Sequence, residues 1–484
     1  MNLRRQLFSV KTVKMLEEEM AGENRLRRVL GPVSLTALGV GAIIGAGIFV
    51  LTGLAAHDYA GPGLMLSFVI AGLGCAFAAL SYAEFASMIP VAGSAYTYAY
   101  ATLGELMAWI IGWDLILEYG MASSTVAYGW SKYFLHFLEL FGLHIPPFLA
   151  SDPFSTPGAW FNLPAAAVVL LVTIVLVIGI RESARFNAVI VVLKLGVVLF
   201  VIVAGIPHVN PANWHPFMPF GLTGVASGAA YVFFAYIGFD SVSTHAEEAR
   251  NPQRDVPIGI IASLSICTVL YIAVSAVLTG MVPYTKINID APLAAAFVPY
   301  GLSAAVFIIS LGAVAGITSV LLVLMLSQPR VFFAMARDGL LPYEFFGTIH
   351  PRFRTPHKAT ILTGSVVAIV AALFPIHALA EMVNIGTLFA FVVVCAAVWI
   401  MRYTNPHQRR PFRCPMMPLI PALGILFNIG LMFSLGWHNW ARLTIWLGVG
   451  LIIYFSYGRH HSKLAKADQT VPPANNTMRS SSRD

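Results

Sequence analysis

Long apolar runs separated by short polar ones dominate the chain. They fall at 33–56, 63–88, 104–131, 163–180, 186–206, 222–246, 257–281, 297–327, 358–374, 379–401, 416–436 and 439–457. The first has 24 residues, about 36 Å at a rise of ~1.5 Å each, enough to cross a bilayer. The pattern predicts twelve membrane-spanning helices. A polar, amphipathic N-tail, 1–30, precedes them, and a Lys/Ser/Pro/Asn-rich tail, 459–484, is expected to be disordered and cytoplasmic. The N-tail lacks the apolar core and cleavage site of a signal peptide.

Two runs break their own pattern. In 39–49, four of eleven residues are glycine: Gly39, Gly41, Gly45 and Gly47. Glycine is a poor helix former, and in hydrocarbon a freed backbone group is costly unless protein or a polar cavity surrounds it. Close helix packing would explain Gly41 and Gly45, four apart. The tighter Gly45, Ala46, Gly47 cluster favours a break. Five runs later, a lone acid, Asp240, sits beside Gly238 in an apolar stretch. Paired interrupted helices at corresponding places in two halves point to an inverted repeat. The expected organisation is a first repeat at 31–206, a second at 207–401, and two added helices at 402–458.

Composition agrees with the pattern. The chain has 484 residues, 58% hydrophobic and 11% charged, against roughly 25% charged in soluble domains. The net charge of +7 does not mark a nucleic-acid surface, because the basic residues lie in short loops. With both termini inside, all but four of the 29 Lys and Arg fall in cytoplasmic segments. The exceptions are Lys132, Lys286, Arg442 and the intrahelical Lys194. This asymmetry sets orientation and supports an even number of spans. The four cysteines show no disulfide or metal spacing.

A broken helix offers amide N–H groups, with the positive end of a helix dipole, to a carboxylate, and bare carbonyls to an ammonium. Two such breaks match a zwitterion, an α-amino acid. The candidate donors are the N–H groups around Gly45, Ala46 and Gly47; the candidate carbonyls are those of Ile43, Phe234 and Ile237. Lys194, near the middle of the fifth helix, costs at least ~2.5–3.5 kcal/mol to insert. It is read either as satisfied by carbonyls of a neighbouring helix or as a proton carrier. The readings are compatible: charged, it holds a broken helix; having lost its proton, it releases it. Asp114 and Glu118 share one helix face and would repel if both ionised. Glu118 is read as a pocket residue or as a buried acid bonded to a neighbour, Asp114 as structural, and Asp240 as a helix cap or as bonding across to another helix, the cap being the cheaper explanation. Glu84, Glu105 and the series Tyr96, Tyr98, Tyr100 with Trp109 are expected at the membrane interface. No nucleophile–base set or phosphate loop is present, which excludes the usual enzymes and ATP-driven pumps.

The stretch Gly39-Val40-Gly41-Ala42-Ile43-Ile44-Gly45-Ala46-Gly47-Ile48-Phe49, followed by Phe234-Ala235-Tyr236-Ile237-Gly238-Phe239-Asp240, resembles the amino acid–polyamine–organocation superfamily. The resemblance is closest to its cationic amino acid transporter branch, in the bacterial twelve-helix form. Trp113-Asp114-Leu115-Ile116-Leu117-Glu118-Tyr119, Asn251-Pro252-Gln253-Arg254-Asp255-Val256-Pro257 and Ala336-Arg337-Asp338-Gly339-Leu340-Leu341-Pro342 add to it. It implies an all-α leucine-transporter-like fold with five-plus-five inverted repeats, and an amino acid permease of the plasma membrane. Lys194 matches a lysine that replaces a sodium ion in proton-coupled relatives, so the implied coupling ion is the proton, with no other cofactor and no metal. The implied surroundings are the lipid bilayer, with room for a small accessory membrane subunit. Two departures stand out: Ala46 replaces a hydroxyl residue, and the bulky Leu324 replaces a small one. Leu324 turns the expectation from arginine or lysine toward small or medium neutral substrates. The rival readings are an obligate exchanger and a non-transporting amino acid sensor.

Overall fold

The computed structural model describes residues 6–11, 15, 30–89, 94–179 and 184–465. It is all-helical, with 78% helix and no strands among them. Twelve helical stretches align with the apolar runs. The first, α1, is Pro32–Ile43 and resumes at 47–60. Next come α2 Leu64–Met88, α3 Glu105–Glu139, α4 Leu163–Ile178, α5 Ala184–Gly205 and α6, which begins as Gly221–Val232. The remainder are α7 Pro252–Met281, α8 Ser303–Arg337, α9 His357–Leu373, α10 Ile376–Thr404, α11 Leu419–Ser434 and α12 Trp437–Ile453. Among the described residues, seven helical segments are long and apolar enough to cross a membrane. The first half of α1 and α4, α9 and α11 are shorter apolar helices.

Two helices depart furthest from the sequence expectation. Helix α3 runs eight residues past 131, to Glu139, because Tyr133 is fully buried and donates from its hydroxyl to the Phe49 carbonyl at 2.8 Å. Helix α8 spans Ser303–Arg337 rather than 297–327. Its start is delayed by a turn at Val298–Tyr300 that ends on left-handed Gly301.

Helix α7 lies against α2 and the first half of α1; α5 lies against that half and α8; α3 lies along α8 and α10. Ile43, Ile44, Ala46, Ile48 and Phe49 are at most 3% exposed. Exposed apolar side chains cover the outside of the bundle, among them Leu171 and Ile174 of α4, Val189 and Val192 of α5 and Ile369 of α9.

Several acids expected at the interface are instead buried and paired. Glu84 is 1% exposed. It accepts from Arg402 Nε and Nη2 at 2.7 and 2.6 Å and from the Cys414 N–H at 2.7 Å, with Arg410 Nε 3.2 Å away. It therefore fastens the loop between α10 and α11. Breaking a buried ion pair from one side costs about 3–5 kcal/mol. Glu84→Ala is expected to lower the thermal unfolding midpoint of the purified protein sharply; an unchanged midpoint would remove this role.

Glu105 accepts from Tyr100, Tyr454, Ser462 and Gln6. Tyr96, Tyr98, Tyr100 and Trp109 are likewise at most 3% exposed, so they are packing residues and not an interfacial belt. Lys11 of the N-tail bonds Asp338 at 2.7 Å. The start of the expected disordered tail is also packed: Ser462 is fully buried, and the Lys463 N–H donates to the Asp338 carbonyl at 3.0 Å. Residues 466–484 and most of the N-tail lie outside the described residues.

Candidate functional site

Both glycine-marked helices are interrupted. In α1, Ile44 turns out of the helix into extended backbone (φ −74°, ψ 102°), and the chain resumes at Gly47 in wide π-helical turns. Among the described residues, the N–H groups of Gly45, Ala46, Gly47 and Ile48 find no backbone or side-chain acceptor, while Ile44 N–H still reaches the Val40 carbonyl at 2.9 Å. In α6, the helix tightens at Phe233–Tyr236, Ile237 becomes extended (ψ 134°), and Gly238 takes φ +118°. Only glycine adopts that φ at little cost.

The two interruptions press against each other. A Cβ on Gly47 would lie 2.4 Å from the Ala235 Cα, and one on Gly238 would lie 2.9 Å from the Ala42 carbonyl. Backbone contact requires glycine at both places, and at Gly238 the conformation requires it as well. Tyr271 of α7 joins the same two segments: its hydroxyl lies 3.1 Å from the Ile43 carbonyl oxygen and 2.9 Å from that of Ala235. Nothing in the sequence singled out Tyr271, one of several tyrosines in apolar runs. Its role depends on contacts 228 and 36 residues away.

Of the expected carbonyls, Ile43 thus already has a hydroxyl donor, and Phe234 accepts from the Ile237 N–H at 3.2 Å. A carbonyl oxygen keeps a second lone pair, so both retain acceptor capacity. The Ala46 methyl lies against Gly129 of α3, whose own Cβ would be 3.1 Å away.

Lys194 is fully buried and donates from Nζ to the Gly41 carbonyl at 2.7 Å. Gly41 sits in the last turn before the α1 break. Gly316 of α8 lies against the Lys194 side chain, and Val320, one turn on, lies against Gly45. A further two turns along, Gln328 donates to the Ile116 carbonyl at 3.1 Å. Leu324 lies between these on the same face, 8% exposed. One stripe of α8 thus runs past the lysine, the break and α3.

The acids gather elsewhere. Glu118, 2% exposed, has Asp240, Asp114 and Thr387 of α10 as neighbours. Asp114 is fully buried, and neither carboxyl oxygen has a hydrogen-bond partner among the described residues. Asp240 precedes the short helix Ser241–Thr244, but its side chain makes no cap bond. The turn there is also held by Ser241 Oγ donating to the Gly238 carbonyl at 2.6 Å and by backbone bonds.

Irregular backbone buried within an apolar helical bundle, at two facing helices, is the architecture of a membrane carrier. The relatives narrow the class. The family model "Amino acid permease" matches residues 30–455. A branched-chain amino acid permease, BcaP, of Bacillus subtilis is 51% identical over 461 residues, covering 95% of this chain and 99% of the relative. A methylthioribose transporter of the same organism is 50% identical over 460 residues, with the same coverage. The vacuolar cationic amino acid transporter 4 of Arabidopsis thaliana is 34% identical over 585 residues, covering 96% of each chain. The chain belongs to the amino acid permease family, within the amino acid–polyamine–organocation superfamily. It is a multi-pass membrane transporter of amino acids and not an enzyme.

Proposed function

We propose that this permease takes up a small or medium neutral L-amino acid by alternating access, driven by inward proton movement. The observation that carries the reading is the buried Lys194 ammonium on the Gly41 carbonyl at 2.7 Å, one turn before the α1 break. Charged, the lysine holds the first half of α1; losing its proton to the cytoplasmic side frees that half to move. A proton entering down 100 mV supplies about 2.3 kcal/mol, roughly a fifty-fold gradient.

In this reading the substrate carboxylate takes the N–H groups of Gly45, Ala46 and Gly47. Its ammonium takes the carbonyls of Ile43, Phe234 and Ile237, displacing the Tyr271 hydroxyl from Ile43. Glu118 and Asp240 form the acidic neighbourhood beside α6, and Asp240 serves its turn structurally. Leu324 limits side-chain length. The scaffold we infer has twelve spans, with 31–206 and 207–401 as inverted repeats, 402–458 added, and both termini cytoplasmic. The interruptions five helices apart and the one-sided distribution of basic residues support it.

Uptake into proteoliposomes empty of amino acid, under an inward proton gradient, tests the coupling. Accumulation that collapses with a protonophore is expected; uptake that occurs only when internal amino acid is preloaded would replace symport by exchange. Shortening the side chain that lines α8 tests the substrate class. Leu324→Ser is expected to improve competition by arginine about tenfold, the scale on which a pocket discriminates a few methylene groups. Unchanged arginine competition would dismiss Leu324 as the limit.

A further inference from the structure

Helix α7 has two working faces in its first turns. Gly259 and Ser263 lie against Leu35 and Gly39 of α1. The opposite face borders a groove of about 530 Å³, walled by Arg254, Pro257, Ile258 and Ile261 on one side and by Pro411 and Phe412 on the other. Positions 254, 257, 258 and 261 follow the i, i+3, i+4, i+7 spacing of one helix face.

The far wall is fixed. The Phe412 N–H lies 3.2 Å from the Ser87 hydroxyl, and Glu84 anchors the loop through Arg402, Arg410 and Cys414. The groove is apolar along its length and basic at its mouth. Arg254 is exposed, and so are Arg250, four residues before it, and Arg409 and Arg413, which flank the Pro411 and Phe412 wall in the chain. Two acids of the described walls are already committed. Asp255 is 3% exposed and accepts from the Asn251 N–H at 3.2 Å, and Glu84 is paired as above.

We propose that this groove seats one anionic phospholipid. Its phosphate meets Arg254, and an acyl chain lies along Pro257, Ile258 and Ile261. The inference rests on the orientation given above, which puts this end of α7 at the cytoplasmic leaflet, where anionic lipid accumulates and each basic residue adds to the attraction. A zwitterionic lipid offers the same phosphate but brings its own positive headgroup among Arg254 and the neighbouring arginines, so the net-anionic lipid is favoured. Because α7 carries the first half of α1 on its other face, an occupied groove braces the segment that Lys194 also holds.

Native mass spectrometry of the full-length protein in detergent reads lipid retention directly, independent of transport and of orientation. Titrated with phosphatidylglycerol or phosphatidylcholine of the same chains, the unaltered protein is expected to retain phosphatidylglycerol preferentially. Arg254→Gln should reduce that retention about fivefold, the ratio for one basic residue at an anionic surface, and narrow the preference for phosphatidylglycerol over phosphatidylcholine. Ile258→Trp, which fills the groove without touching charge, should reduce both. Equal retention of the two lipids by the unaltered protein, or undiminished phosphatidylglycerol on Arg254→Gln, would overturn the proposal. Either result leaves the transport reading standing, and a failure of proton-driven uptake leaves the lipid result standing.

Discussion

Lys194→Ala is expected to abolish amino acid accumulation driven by a pH gradient in proteoliposomes. The roughly tenfold concentration that each unit of pH difference can sustain for one proton per substrate would be lost. The reason is geometric. Nζ is fully buried and its hydrogen bond goes to Gly41, the residue three before Ile44, where α1 leaves its helix. Alanine leaves the Gly41 carbonyl without this donor and removes the group that titrates. Lys194→Arg separates the two effects. A guanidinium can still donate to the carbonyl but does not deprotonate in a protein. The account expects Lys194→Arg to bind substrate yet fail to accumulate it. If either variant kept the pH dependence of the unaltered protein, proton carriage by Lys194 would be excluded.

The second large effect is expected at Gly47. A single methyl there would stand 2.4 Å from the Ala235 Cα, a backbone atom that cannot step aside. Gly47→Ala must therefore push the resumed half of α1 away from the α6 interruption. Overpacking of this kind costs about 1–3 kcal/mol. If the strain falls on the site, binding weakens about tenfold or more. Gly45→Ala meets only the Val320 side chain, at 2.9 Å, and should be milder. Gly196→Ala on α5, which meets nothing within 4 Å, is the control and should bind normally. Scintillation-proximity binding on protein that elutes as a single size-exclusion peak decides the matter. Equal binding by Gly47→Ala and Gly196→Ala would remove the break from the site.

What could be read from the sequence is what composition and local spacing encode. Four glycines in eleven residues announced the α1 interruption, and the lone Asp240 beside Gly238 announced that of α6. Apolar length announced the helices. Lys194 stood out because no acid lies within a turn of it, which leaves a carbonyl of another helix as its partner.

The contacts that close the structure were not legible, because each joins residues distant in the chain. Glu84 and Glu105 look interfacial from their positions near helix ends. Their partners, Arg402 and Cys414 for one and Tyr454 and Ser462 for the other, are more than 300 residues away. Tyr98 and Tyr100 read as a membrane belt until the tail and α2 cover them; Tyr98 stacks on Phe85 at 5.0 Å. Tyr271 carries no sequence mark, yet its hydroxyl spans the two interruptions.

The central claim is that bare peptide groups at the two interruptions grip both ends of an α-amino acid. It is tested most directly by competition binding with chemically trimmed ligands. The tightest binder among the twenty amino acids would be compared with its carboxamide, its N-acetyl derivative and methylthioribose. The account predicts that the amino acid competes and that each of the other three loses at least about a hundredfold, because each lacks the carboxylate, the ammonium or both. Competition by the carboxamide or by methylthioribose at the strength of the amino acid itself would contradict it.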